Sequence, residues 1–282
     1  MANLSDYFTL NKSLYPSSGL QFYVFDSTKE SAFINDCLIP FRKAYIPDAD
    51  LNERIKIFGG KRADEIMELL PDPGDVMSGD FGEILTFYLA CQIWSPNVNV
   101  CPMKWRFKDK KKAPSHYTDI ILFEFADLKN PSSNDALFTY EVKTRSTKLG
   151  NKPYQKHTKK SFVTYKDGKD ECTILEAVFD ANKDAIERAA ETIPYLKIRC
   201  KDLKLVDLYN QINRFSNPCV TTYRKEHNAV AIIDTSTIKE QIARMPSDLL
   251  SAHPKVSNVY CVPINNLKKI YQQVYHDMPN KA

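Results

Sequence analysis

The segment "FTYEVKTRS" (138–146) limits the folds open to this chain more than any other stretch. Its Phe, Tyr and Val content reads as a β-strand, and successive strand side chains point to opposite faces. Phe138, Tyr140 and Val142 therefore share one face, and Glu141, Lys143 and Arg145 the other. The aromatic face calls for a core to pack against. The charged face must then be paired or put to use, because buried charge without a partner is costly. Any fold for this chain has to bury one side of the strand and give the other a task.

The spelling E-x-K is not informative by itself. D-x-K or E-x-K occurs five times, beginning at Asp109, Asp127, Asp167, Asp202 and Glu141, and only the last copy lies in an apolar strand. Upstream, "YTDIILFEF" (117–125) reads as a second strand, joined to "ALFTYEVKT" (136–144) by the turn-rich "ADLKNPSSND". An antiparallel hairpin sets the start of one strand beside the end of the other, so Asp119 and Glu141 are expected to converge. Two carboxylates held together repel unless a cation compensates them, and Mg²⁺ is commonly held by one or two carboxylates plus water and phosphate oxygens. Glu83 lies in "FGEILTFYLACQIW" (81–94), a helix apolar on nearly every face. It is a candidate third carboxylate, although Asp80 and Glu83 also fit a capping box at a helix start. Glu124 alternates to the face opposite Asp119 and is expected to form an ordinary salt bridge.

Around this hairpin the chain alternates strands and helices. Strands are expected at 20–26, 117–125, 136–144, 228–236 and 255–264, with a short one near "SFVTY". Helices are expected at 30–45, at 50–70 with a break at Gly59-Gly60, and at 81–94. Others fall at 182–197, 201–215, 236–245 and 265–276, while "PDPGDVMSGD" (71–80) reads as a loop. The mixture points to an α/β fold with a mixed central sheet flanked by helices. Residues 1–70 are expected as an N-terminal elaboration packed on a core of residues 71–282, with no marked linker between them.

Charge is unevenly placed. Against a net +4, "KWRFKDKKK" (104–112) carries +5 and "KTRSTKLGNKPYQKHTKK" (143–160) carries +7, leaving −8 for the rest. Two basic runs bracketing one strand pair suit a phosphate-binding surface better than two solvated lysine loops. Arg145, Lys148, Lys152, Lys110, Lys111 and Lys112 are the candidate phosphate contacts, and Trp105 and Phe107 are candidates to stack on exposed bases, with packing on the sheet as the alternative. No apolar run approaches the length needed to span a bilayer, and "MANLSDYFTL" has no basic or apolar signal-peptide regions. Seven cysteines without a C-x-x-C pair read as thiols in a reducing compartment, and scattered histidines argue against structural zinc. A cytoplasmic location without membrane contact is expected.

Glu83 on a helix, then Asp119, then Glu141-x-Lys143 resembles the PD-(D/E)XK, or restriction-endonuclease-like, superfamily. Within it, "GDFGEILTFYLACQ", "TDIILFEF" and "FTYEVKTRS" look most like the HamA family, nuclease subunits of the Hachiman anti-phage defence system. The similarity is clearest across residues 75 to 200. The resemblance implies a restriction-endonuclease-like sheet, with Mg²⁺ or Mn²⁺ bound by Asp119 and Glu141 and supported by Glu83. It implies that Lys143 orients or helps deprotonate the attacking water and stabilises developing charge. It also implies DNA cleavage with little sequence preference, restrained by a helicase partner of the HamB type. One departure is that Thr118 stands where the superfamily name places Pro. A catalytically inactive nuclease-like subunit that binds DNA or a helicase is the competing reading. An unrelated α/β protein with an exposed Glu141–Lys143 pair is the other.

Overall fold

The computed structural model describes residues 3–12, 19–107, 118–149, 155–158, 161–164, 172–216, 223–246 and 248–282. Eight strands are described: β1 (Phe8–Asn11), β2 (Leu20–Phe25), β3 (Ile120–Glu124), β4 (Ala136–Arg145), β5 (Gln155–Thr158), β6 (Ser161–Thr164), β7 (Arg224–Asp234) and β8 (Asn258–Ile264). The helices are α1 (Glu30–Tyr45), α2 (Asp48–Phe58), α3 (Arg62–Leu69), α4 (Asp75–Leu89), α5 (Thr173–Asp202), α6 (Val206–Asn213), α7 (Ile238–Arg244) and α8 (Leu267–Lys281).

Six strands form one sheet in the order β1-β2-β8-β7-β4-β3, and β5 and β6 form a separate antiparallel pair. The four inner strands β2, β8, β7 and β4 run parallel, while β1 and β3 pair antiparallel at the edges. Parallel strands covered on both faces need apolar residues at every position. "AVAII" in β7 meets that need, with Ala229 through Ile233 all fully buried. The sheet is thus mixed and flanked by helices, as the α/β pattern of the sequence implied. The first 70 residues supply β1 and β2 to this sheet, and β2 pairs directly with β8. No helix among the described residues is long and apolar enough to cross a membrane.

The two sides of the sheet are covered differently. On one side α1, α4 and α8 pack over Phe138, Tyr140 and Val142 of β4 and their neighbours in one continuous cluster. On the other side the apolar core is split. The N-terminal half of α5 (Ile174, Ala177, Val178, Ala181) packs on β7 and β8, and its C-terminal part (Ile193, Leu196, Cys200) packs on β3 and Leu137. Between these clusters runs a polar seam that includes Thr139, Glu141, Asp180, Thr192 and His227, all buried. Glu141 and Lys143 project into that seam.

Two expectations need correction. The stretch 71–80 is not all loop, because α4 begins at Asp75 after Gly74 (φ 140°). Asp80 and Glu83 therefore lie inside the helix, and no capping box forms. Asp80 instead accepts a hydrogen bond from Tyr45 Oη at 2.7 Å. Helix α5 also starts nine residues before the expected 182, at Thr173, and runs through Pro194. Its Ala-rich stretch marked only the middle.

Candidate active site

The register of the β3–β4 hairpin sets the site. Ile120 pairs with Tyr140, so Asp119, one residue before β3, stands across from Glu141. Asp119 Oδ2 accepts the Val142 N–H at 2.8 Å, which pins its carboxylate to the β4 backbone next to Glu141. Backbone from α5 to β3 is tied in the same place, since the Thr118 N–H donates to Thr192 Oγ1 at 3.1 Å. A proline at 118 has no N–H to donate. The departure from the superfamily pattern thus has a local use.

Lys143 is held from two layers. Its Nζ lies 2.9 Å from Glu141 Oε1 on its own strand and 2.9 Å from Asp180 Oδ2 on α5. Both carboxylates are buried, at 6% and 3% side-chain exposure. Burial alone pulls the lysine pKa down. The charges of Glu141, Asp180 and Asp119 outweigh it and hold the ammonium above its ordinary range.

Glu83 approaches from the opposite side of the sheet. Helix α4 comes close to β4 at Gly82, where a Cβ would overlap Thr144 Oγ1 and lie 3.1 Å from Thr144 Cβ. The segment after α4 runs along the sheet edge, with Val100 bridged to Phe123 of β3, and then turns inward at Lys104–Phe107. Lys104 Nζ lies 3.3 Å from Glu83 Oε2 and 3.7 Å from Asp119 Oδ1, and donates to Thr118 O at 3.1 Å. Lys104, Thr118, Asp119 and Thr192 line a narrow crevice between this turn, β3 and α5.

The structure therefore gathers Asp119, Glu141 and Lys143, and connects Glu83 to them through Lys104. Neither Lys104 nor Asp180 was singled out from the sequence. The signal for Asp180 was present in "TILEAVFDA", where an acid interrupts apolar residues at helical spacing.

Trp105 requires correction as a base-stacking residue. It is 3% exposed, its indole N–H donates to Glu83 Oε2 at 3.2 Å, and its ring packs edge-on against Phe87. Two cations of the 104–112 run have partners within the chain: Lys104 as above, and the exposed Arg106, which donates to Lys43 O at 2.9 Å. Lys148 is exposed and Arg145 half-buried at the end of β4. Lys110, Lys111, Lys112 and Lys152 lie outside the described residues. Glu124 forms its salt bridge with Arg224, at 3.2 Å.

Among the described residues, no three of His, Cys, Asp and Glu come together as a ready-made metal cage. The residues nonetheless suit a hard divalent cation, with two carboxylates directly opposed across a hairpin and oxygen donors only. Glu83, Asp119, Glu141 and Asp180 against Lys104 and Lys143 carry a formal charge of −2, which one divalent cation balances.

Two comparisons bear on identity. A family model described as HamA matches residues 4–278. No curated protein matches the chain.

Proposed function

The chain belongs to the HamA family of Hachiman-associated defence proteins, and from that premise we propose that it is the metal-dependent nuclease of such a system. It hydrolyses DNA phosphodiester bonds with little sequence preference under the control of a partner helicase. The observation that carries this reading is the hairpin register that opposes Asp119 to Glu141, with Lys143 fixed beside them.

Asp119 and Glu141 would hold Mg²⁺ or Mn²⁺, which supplies a Lewis acid for the phosphate and lowers the pKa of water. Asp119 is oriented for that task by the Val142 N–H, so little reorganisation is needed at the moment of binding. Lys143 places a fixed positive charge beside the carboxylates, where negative charge grows as the phosphorus becomes five-coordinate. Asp180 keeps that ammonium in place from the other layer. Arg145, the last residue of the same strand, and Lys148 just beyond it suit contacts to flanking phosphates.

The test is incubation of the protein, alone and with its helicase, with plasmid and single-stranded DNA in Mg²⁺ or Mn²⁺. Cleavage is expected in at least one arm, abolished by EDTA and by the double exchange Glu141→Ala, Lys143→Ala. Circular dichroism and helicase co-purification should show that the double variant still folds and binds. Cleavage that survives either EDTA or the double exchange removes these residues from the reaction.

A further inference from the structure

We propose that Lys104 is a resident cation of the reaction centre, and that Glu83 anchors this lysine rather than ligating metal, so the centre takes one divalent ion. The proposal rests on the metal-nuclease reading and specifies how that site is built.

The geometry is that of a built site. The Lys104 side chain is only 10% exposed, and its ammonium meets Thr118 O, Glu83 Oε2 and Asp119 Oδ1 at 3.1, 3.3 and 3.7 Å. A lysine ammonium donates and cannot accept, and here it donates to Thr118 O while standing in ion-pair range of two carboxylates. Glu83 Oε2 also receives the indole N–H of Trp105. A hydrogen bond from Trp105 and the charge of Lys104, adjacent residues of one turn, thus meet at a single carboxylate oxygen.

The layers separate the roles further. Glu141 lies on the α5 side of the sheet, whereas α4 packs on the other side, its close approach at Gly82 meeting Thr144. Glu83 is linked to Asp119 through the lysine that comes in around the edge of β3. Asp119 therefore has one oxygen on the Val142 N–H and the other beside Lys104. In two-metal nucleases a second ion about 3.5 to 4 Å from the first stabilises the opposite oxygen of the displacement. An ammonium next to Asp119 supplies positive charge to the centre without a second ion.

Mn²⁺ binding measured by electron paramagnetic resonance, alongside plasmid cleavage, tests this on the full chain. Wild type should bind one Mn²⁺. Glu83→Gln should keep the Mn²⁺ affinity within about threefold, and Asp119→Asn should lose about tenfold or more, because an ion held by two carboxylates depends on each. Lys104→Met should cut cleavage by about 10²-fold, the usual scale for one stabilising charge. The same exchange should bind Mn²⁺ more tightly or take up a second ion, because a competing positive charge is gone. Lys104→Arg should restore part of the cleavage and the single-ion stoichiometry, separating loss of charge from loss of folding. Two Mn²⁺ in wild type, or a Glu83→Gln defect equal to that of Asp119→Asn, overturns the inference while leaving the nuclease reading intact. Weaker Mn²⁺ binding in Lys104→Met also overturns it. No Mn²⁺ binding in wild type overturns both.

Discussion

Lys143 shows how much a residue's role depends on layers that its own strand does not reveal. Alternation along "FTYEVKTRS" set it on the face of Glu141, but its second partner, Asp180, lies 37 residues downstream on a helix of the other layer. Strand periodicity says which face a side chain takes and nothing about which helix covers that face. Thr118 carries the same lesson, because its N–H is spent on Thr192 of α5. Removing Asp180 should therefore be felt twice. Asp180→Ala breaks a buried pair, which costs on the order of 3 kcal/mol, and frees the Lys143 ammonium to turn wholly toward Glu141. Chemical denaturation should show the stability loss, and cleavage should fall with kcat more than with KM. Asp180→Asn keeps an oxygen acceptor and should recover part of kcat. Equal kcat in Asp180→Ala and wild type would show that Lys143 needs no second partner.

At the scale of elements, the parts read best were those whose pattern and packing agree. The spacing placed α1 at 30–45, and it spans Glu30–Tyr45 even with Pro40 inside it. The β3–β4 hairpin and the break at Gly59, which caps α2 in the left-handed conformation at φ 71°, were legible for similar reasons. Helix α4 was not. Its first turns, "DVMSGD", carry Ser, Gly and Asp that signal a loop, yet Met77, Asp80 and Phe81 are all buried at helical spacing. Tertiary packing overrides weak local propensity there. The same helix contains Gly82, which is a packing requirement: only a hydrogen fits against Thr144. Gly82→Ala gains helix propensity but forces α4 off β4, for a net loss of about 1 to 3 kcal/mol. The melting temperature should fall, and cleavage should fall with it as Glu83 and the Lys104 turn move away from Asp119. Thr144→Ala added to Gly82→Ala should recover part of both. A Gly82→Ala protein as stable as wild type would mean that α4 and β4 are not in contact at this point.

For the molecule as a whole, the split core on the α5 side has a consequence for stability against pH. The polar seam that houses the site continues to His227 on β7, whose Nδ1 lies 2.7 Å from Thr139 Oγ1. His227 is 7% exposed, and burial, followed by the charges of Lys225 and Lys255, lowers its pKa from 6.5 to about 4. The unfolded chain therefore takes up this proton at a higher pH than the folded one. The stabilisation is fully present above pH 6.5 and is lost as pH falls toward 4. A shift of this size corresponds to about 2 to 3 kcal/mol lost between pH 7 and pH 4.5, since each pKa unit is worth about 1.4 kcal/mol. Urea unfolding of wild type at those two pH values should show that drop on top of contributions from other groups. His227→Gln can still hydrogen-bond to Thr139 but cannot be protonated, so its drop should be smaller by about the same 2 to 3 kcal/mol. Its unfolding at pH 7 should lie close to wild type if the side chain acts mainly through that hydrogen bond. Identical pH profiles for the two proteins would mean that His227 titrates alike folded and unfolded, and that the seam is open to water at this end of β7.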